Sequence, residues 1–262
     1  MSRLKSLVAA AFAAVSAVLT HSAVAATVSA GIPLVDGPMF QTVTLWLQPG
    51  AQGAGQTLTA VGRVEAIHSS AGATVWQSTP STPELTMLLS GFSAISEFGI
   101  AEGLSITTFT AGTLRLYADP ARNSNPTTGA IDPSSFADGS LFLDLVPQSL
   151  SGTGAATTTL IAVSSRPGGG APDFISASGA FNVVGGAAAS FFDTNQYASV
   201  SGADLLFNFS VGLQPAALGW DYRGSAQLGG TSAVPLPGSL LMLVSALAPV
   251  LLRHRRGQPM AA

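Results

Sequence analysis

A histidine followed by two serines is the first place in this sequence where hydrolytic chemistry could arise. Serine hydrolysis needs a nucleophile, an orienting acid and a base that is usually histidine. His68 precedes Ser69 and Ser70, but no serine in the chain has the Gly-x-Ser-x-Gly surroundings of a nucleophile elbow. This context favours a structural or exposed turn histidine, and we predict no catalytic residue.

Three glutamates could instead support glycoside hydrolysis, which uses a pair of carboxyl groups flanking the scissile bond. Glu84, Glu97 and Glu102 lie fairly close together in the sequence, but their spacing is not diagnostic. We therefore expect solvated positions at strand edges rather than an active site. A secreted glycosidase is the least favoured hypothesis, and we predict that the protein is not an enzyme.

A long polar segment, residues 119–139, carries the oxygen-bearing side chains that Ca²⁺ prefers. Their spacing fits no EF-hand loop, and Asp or Asn next to Pro or Gly also forms ordinary turns. We expect a solvated loop, with calcium as the alternative and zinc less plausible because the chain has no cysteine. The candidate calcium ligands are Asp119, Asn123, Asn125, Asp132 and Asp138.

Aromatic rings could form a platform on which sugars stack, although core packing is the default for most of them. Trp46 and Tyr117 lie opposite the leucines of their predicted strands, which favours exposure or contact with a second sheet. Trp220 and Tyr222 flank Asp221 near the end of the domain, and we expect this cluster to be exposed. These four aromatics are the candidate carbohydrate contacts.

Charge and cysteine content exclude several kinds of partner and site. Residues 27–232 hold five arginines, no lysine and all thirteen acidic residues, which gives a net charge of −8. Nucleic-acid binding needs clustered Lys and Arg, so we expect no nucleic-acid partner. Disulfides, thiol nucleophiles and cysteine-based metal sites are excluded because cysteine is absent. The Gly, Ala, Ser and Thr content is common among secreted, matrix-associated β-proteins.

Alternating apolar and polar residues recur along the chain, with the period of two that is typical of half-buried strands. Turn formers such as Gln48-Pro49-Gly50 separate the runs, and no stretch between them has a convincing amphipathic helical pattern. We therefore predict an all-β fold, an antiparallel β-sandwich, formed by one domain at residues 27–232. The predicted strands cover 42–47, 57–67, 73–76, 84–91, 104–110, 113–117, 141–145, 156–163, 175–184, 195–201 and 205–211, with one helical turn at 187–192.

The N-terminal residues 1–26 have the layout of a secretory signal peptide. Arg3 and Lys5 precede an apolar run from Leu7 to Leu19, which is short for a membrane span of about 20 residues. Small residues follow, and we predict cleavage after Ala25 or Ala26. Export through the Sec translocase and processing by signal peptidase follow from this layout.

The C-terminal residues 233–256 have a second apolar run, Gly238–Leu252, which predicts a single hydrophobic helix. An arginine cluster follows it, and positive charge is retained on the cytoplasmic side of a membrane, so the domain should face outward. The run is short and Pro249 weakens its helix, which favours transient residence in the inner membrane over a permanent anchor. Residues 257–262 would form a short cytoplasmic end.

This tail resembles the PEP-CTERM sorting signal, which exosortases process. The resemblance rests on a Pro-x-Pro tripeptide, a short apolar helix and terminal arginines, although Leu236 stands where the family usually has glutamate. It implies an exosortase-like processing enzyme as a partner; the alternative is an ordinary C-terminal membrane anchor. The residues that carry the signal are Val234, Pro235, Pro237, Arg253, Arg255 and Arg256.

Four stretches of the domain resemble the flocculation-associated PEP-CTERM proteins. They cover about a tenth of the domain: residues 112–120, 138–142, 191–194 and 202–205. The resemblance implies export alongside exopolysaccharide in a Gram-negative bacterium and a role in floc or biofilm cohesion, with no catalytic residues to carry over.

Together these observations predict an exported, non-catalytic protein of the cell surface or extracellular matrix. Its expected partners are the export and sorting machinery, the inner membrane transiently, and extracellular polysaccharide. A secreted carbohydrate-binding module is the main alternative.

Overall fold

The structure is a computed structural model that describes residues 27–34, 37–49, 55–124, 131–150, 158–165, 171–197, 202–214 and 220–230. All of these belong to one compact unit, Ala26–Ala233. The predicted signal peptide, its cleavage site at Ala25 and Ala26, and the predicted C-terminal helix lie outside the described residues. In the described part of the chain, no helix is long and apolar enough to cross a membrane.

Strands dominate the described residues, which confirms the all-β antiparallel prediction. The twelve strands are β1 (Thr27–Ser29), β2 (Ile32–Leu34), β3 (Met39–Pro49), β4 (Thr57–His68), β5 (Thr74–Gln77), β6 (Glu84–Ala101), β7 (Leu104–Asp119), β8 (Ser140–Pro147), β9 (Leu160–Ser165), β10 (Phe174–Gly185), β11 (Leu205–Leu213) and β12 (Tyr222–Gly230). A 3₁₀ turn covers Pro133–Phe136, and one helical turn, α1, covers Ala189–Phe192.

Ten of these strands pair into a single sheet, and β1 and β2 form a separate two-stranded ribbon. The order along the sheet is β11-β12-β3-β4-β6-β7-β8-β10, and the path closes because β10 also pairs with β11. Strand β9 lies in line with β8, since both pair with β7 on one side and with β10 on the other. The sheet therefore has an inner and an outer face.

The inner face holds the main core, because one side of each strand is apolar. Phenylalanine rings meet there from strands that are not neighbours in the sheet. Phe40 of β3 packs on Phe142 of β8, and Phe92 of β6 packs on Phe181 of β10, each pair with ring centroids 6.3 Å apart. These contacts fill the interior with side chains.

A glycine corner divides the long β6–β7 hairpin into two parts. Gly91 and Gly112 have φ values of 76° and 92°, and they face each other between the register pairs Ser90–Thr113 and Phe92–Ala111. A side chain at position 112 would meet the ring of Phe92 at 2.3 Å, so the ring occupies the space that glycine leaves open. On one side of this corner β7 pairs with β8, and on the other side it pairs with β9.

A buried carboxylate joins the inner core to the loop after α1. Asp204 is 1% exposed, and its two oxygens accept hydrogen bonds from the backbone N–H groups of Val183, Thr194 and Asn195. The segment predicted as a strand at 195–201 is not one in its described part, where Tyr197 makes only an isolated bridge to Ala203. Its backbone instead turns toward this carboxylate.

Candidate functional site

The segment after β7 folds back over the outer face of the sheet. We call its described residues, 120–124 and 131–139, the cover segment. Ile131 and Phe136 of this segment are buried in a second, smaller apolar cluster on the outer face. Trp46 of β3, Val61 of β4 and Trp220 complete the cluster, with Leu88 of β6 packed against it. The expectation of a plain solvated loop is wrong for this part of the chain.

Hydrogen bonds fix the cover segment to the strands beneath it. The hydroxyl of Thr86, which is 1% exposed, donates to the carbonyl oxygen of Phe136 at 2.8 Å. The indole Nε1–H of Trp220 donates to the carbonyl oxygen of Ile131 at 3.2 Å. Burial of these polar groups is therefore compensated by specific partners.

Asp132 caps the 3₁₀ turn within the cover segment. Its carboxylate accepts hydrogen bonds from the hydroxyl and the backbone N–H of Ser134, at 2.7 and 2.9 Å. The hydroxyl bond, followed by the backbone bond, stabilises the charged form and lowers the pKa of Asp132 below the ordinary aspartate value. The Asp132 side chain, predicted as a calcium ligand, thus stabilises the 3₁₀ turn.

The aromatic residues predicted as carbohydrate contacts are mostly buried. Trp46, Trp220 and Tyr222 are 1%, 4% and 1% exposed, because the first two pack under the cover segment and Tyr222 belongs to the inner core. The expectation of an exposed Trp220–Tyr222 cluster is wrong. Arg223 stacks over the Trp46 ring at 5.1 Å and covers it further, while Tyr117 is half-buried.

The four candidate calcium ligands that the structure describes do not converge as a set. Asn123 and Asp138 are exposed and hydrogen-bond to each other at 2.7 Å, while Asn125 lies outside the described residues. Among the four described candidates, only Asp119 is buried, at 4% exposure. Within the described ranges, no three His, Cys, Asp or Glu side chains form a group that could hold a metal ion.

A different pair of carboxylates is brought together at this end of the sheet. Glu84 of β6 lies directly opposite Asp119 of β7 in the strand register, so both side chains are on the outer face. Glu84 is 1% exposed and accepts a hydrogen bond from the backbone N–H of Ser124 at 2.8 Å. The expectation that Glu84 is solvated is wrong, because the cover segment lies over it.

The structure separates the three glutamates considered for glycoside hydrolysis. Glu84 lies seven residues before the glycine corner at Gly91 and Glu97 lies six residues after it. At about 3.3 Å per residue, even a right-angled corner leaves roughly 30 Å between them, far beyond the ~5–9.5 Å of a glycosidase pair. Glu97 accepts a hydrogen bond from the Ser105 hydroxyl at 3.1 Å, and Glu102 is exposed at the hairpin tip. Glu84 therefore cannot act together with Glu97 on one glycosidic bond.

Both ring nitrogens of His68 are engaged by non-catalytic neighbours. Nε2 lies 3.0 Å from the Gln41 side-chain oxygen, and Nδ1 lies 3.2 Å from the Thr74 hydroxyl. These bonds link the ends of β3, β4 and β5. They favour the structural interpretation of this histidine.

The middle of the outer face of β10, β11 and β12 carries uncharged polar side chains, because the inward positions of these strands hold the core. The exposed Arg223 lies beside them, at the start of β12. Neighbouring side chains on this face hydrogen-bond to one another: Ser178 donates to Asn208 at 2.7 Å, and Ser210 donates to Ser176 at 3.2 Å. The register places the side chains of β12 next to them. We call this set the polar face: Ser176, Ser178, Asn208, Ser210, Ser225 and Gln227.

Strand β12 ends at Gly230. Exposed apolar side chains lie at the other end of the sheet. Phe98 and Ile100 in β6 are 49% and 52% exposed, and Phe174 at the start of β10 is 45% exposed. They lie around the tip of the β6–β7 hairpin, which extends past the last pairing of β6 with β4 at Thr57–Ser93.

The predicted sorting residues, from Val234 to Arg256, lie outside the described residues. Their role stays a prediction. No protein-family model, no curated protein and no solved structure matches this chain.

Proposed function

We propose that the chain is an exported, non-catalytic protein of the cell surface or extracellular matrix, associated with exopolysaccharide and contributing to floc or biofilm formation. The observation that carries this proposal is the pair of terminal signals, above all the tail with Pro235, Pro237 and the arginines Arg253, Arg255 and Arg256. The proposed partners are the Sec translocase, signal peptidase, an exosortase-like enzyme, the inner membrane transiently, and polysaccharide.

The described domain supports a binding or scaffolding role by its surface chemistry. The polar face offers hydroxyl and amide groups without charge, and these groups match the hydroxyls of a polysaccharide as hydrogen-bond partners. Because Trp46 and Trp220 are buried, stacking of sugar rings on their indoles would contribute little to polysaccharide binding. We therefore propose that association with exopolysaccharide runs through the polar face.

We also propose that the closed antiparallel sheet forms a β-sandwich, in which it is flattened into two layers packed face to face. The support is the set of ring contacts between strands that are distant along the sheet, such as Phe40 with Phe142 and Phe92 with Phe181. Such contacts span the interior at the close spacing of packed layers.

Deletion of residues 234–256 tests the sorting proposal. We expect the truncated chain to lose its normal destination or its processing, measured by fractionation and by the intact mass of the native mature protein. A matched variant with Arg253, Arg255 and Arg256 changed to glutamine keeps the apolar run and should also be mislocalised. Unchanged location, mature mass and floc formation would contradict the proposal.

Removal of side chains from the polar face tests the association with polysaccharide. The full-length triple variant Ser178→Ala, Asn208→Ala and Gln227→Ala should co-sediment with native exopolysaccharide several-fold less than the parent protein, with an unchanged Tm because all three side chains are exposed. The control is Glu102→Gln, at an exposed position at the tip of the β6–β7 hairpin. Equal binding by the triple variant and the parent protein would rule out this face. Release of reducing sugar from the exopolysaccharide by the parent protein would favour the glycosidase alternative.

A further inference from the structure

The Glu84–Asp119 pair has more negative charge than its surroundings neutralise. Both carboxylates are at least nine-tenths buried on the same face, and each accepts one backbone hydrogen bond, Glu84 from Ser124 and Asp119 from Ala121. The second carboxylate oxygen of Asp119, Oδ2, is buried with no hydrogen-bond partner. Buried charges are normally paired or bound to a metal, because their removal from water is costly.

No basic side chain balances this pair in the described part of the chain. Arg122 is adjacent, but its guanidinium donates to the carbonyl oxygen of Thr82 at 2.6 Å, and no ion pair with Glu84 or Asp119 is formed among the described residues. Two like charges on directly opposed strand positions repel each other. A cation bound between them would relieve this repulsion.

An independent observation at the same place indicates a ligand. The Ser124 hydroxyl oxygen is buried, at 5% exposure of the residue, and has no hydrogen-bond partner. The backbone N–H of the same residue donates to Glu84 at 2.8 Å, so Ser124 contacts one member of the carboxylate pair. Two buried oxygens without a partner, the Ser124 hydroxyl and Asp119 Oδ2, thus belong to the two residues that contact or lie opposite Glu84.

We propose that Glu84, Asp119 and Ser124 form a site for a hard divalent cation, with Ca²⁺ as the ion that fits best. The donor set is entirely oxygen, which Ca²⁺ and Mg²⁺ prefer and which suits zinc poorly. Backbone carbonyls and water can complete the six to eight ligands of Ca²⁺, whose flexible geometry tolerates an irregular set. This inference does not depend on the proposed matrix function.

The site joins the cover segment to the sheet. Glu84 and Asp119 belong to β6 and β7, whereas Ser124 belongs to the cover segment. Close packing supports the placement, since a side chain at Gly139 would lie 3.0 Å from the Asp119 side chain and 2.7 Å from the Ala118 carbonyl oxygen. Calcium would therefore act as a clamp that holds the cover segment over Trp46.

Thermal unfolding of the purified full chain in detergent tests the site. At Ca²⁺ concentrations about 100 times the Kd, we expect the Tm to exceed the value in EDTA by about 5–10 °C, with a smaller effect of Mg²⁺. Asp119→Asn should abolish this shift and raise the Tm in EDTA, because it removes one of two repelling charges. Ser124→Ala should weaken Ca²⁺ binding about tenfold without lowering the Tm in EDTA. Equilibrium dialysis should give one Ca²⁺ per chain.

The exposed Asp173→Asn change is the matched control and should keep the full shift. If Asp119→Asn does not fold, Glu84→Gln and Ser124→Ala carry the test by dialysis. An equal Tm in Ca²⁺ and EDTA would overturn the proposal, as would a full shift in the Asp119→Asn and Ser124→Ala variants.

Discussion

The Asp204 carboxylate joins three backbone N–H groups that belong to β10 and to the loop after α1. Hydrogen bonds to a charged acceptor contribute about 1.5–3 kcal/mol each, and loss of the acceptor leaves buried donors unsatisfied. We therefore expect Asp204→Asn, which replaces one oxygen by a donor, to lower the free energy of unfolding by about 3 kcal/mol in urea denaturation. The exposed Asp193→Asn change is the control, with an effect within about 0.5 kcal/mol. Equal midpoints for the two variants would contradict this role.

Asp132 offers a pH-dependent test of the 3₁₀ turn. Its pKa is lowered in the folded chain, first by the Ser134 hydroxyl and then by the Ser134 backbone N–H. The stabilisation by this cap is therefore complete above the unfolded-state pKa and is lost as the pH falls through the lower folded-state pKa. An NMR titration should place the Asp132 midpoint below the ordinary aspartate value and show that Ser134→Ala raises it. A midpoint unaffected by Ser134→Ala would contradict the assignment.

At the scale of elements, the glycine corner decides how the longest hairpin is shaped. Gly112 combines a φ of 92° with a Phe92 ring packed where a side chain would stand. An L-residue in that conformation costs about 1–2 kcal/mol, and displacement of a core ring adds about 1–3 kcal/mol. We expect Gly112→Ala to destabilise the protein by about 3 kcal/mol. Gly229→Ala, in a strand with open space around it, should change stability by less than about 1 kcal/mol.

Strands with clear alternation could be predicted from the sequence, and the structure confirms most of them, with β6 and β7 longer than expected. Strand β12 could not be predicted from the sequence, because its inward positions include Gly224 and Ala226. Such small residues give a weak alternating signal. A side chain at Gly224 would meet the Ser210 carbonyl oxygen at 1.9 Å, so close packing of strands explains the glycine. The reason for a glycine at position 224 is evident only when the neighbouring strand, β11, is known.

The candidate cation site illustrates the same limit. Asp119 was recognisable as an oxygen ligand, but its partner Glu84 is fixed by the β6–β7 register, and Ser124 by the path of the cover segment. The expected exposure of Trp220 and Tyr222 was wrong, and the burial of Trp46 has a related reason. Outward-facing Trp46 was correctly placed opposite the core leucines, yet a later part of the chain covers it.

At the scale of the whole molecule, closure of the sheet explains how a domain without disulfides is held together. Each strand of the closed path has partners on both sides, so unpaired edges, which are prone to aggregation, are largely removed among the described strands. Two apolar layers then add to this pairing, one on the inner face and a smaller one under the cover segment. The two layers use side chains from alternate positions of the same strands, such as Leu45 and Trp46.

The position of Gly230 has a mechanical consequence. It ends β12 beside Pro38, whose carbonyl oxygen it bonds at 3.1 Å, whereas the β6–β7 tip lies at the other end of the sheet. A pulling force applied between Gly230 and that tip would run along the strands, at right angles to the hydrogen bonds of β12 with β3 and β11. These bonds would be loaded in shear and would have to break together. A tether attached after Gly230 would thus be joined to the domain in the geometry that resists tension best.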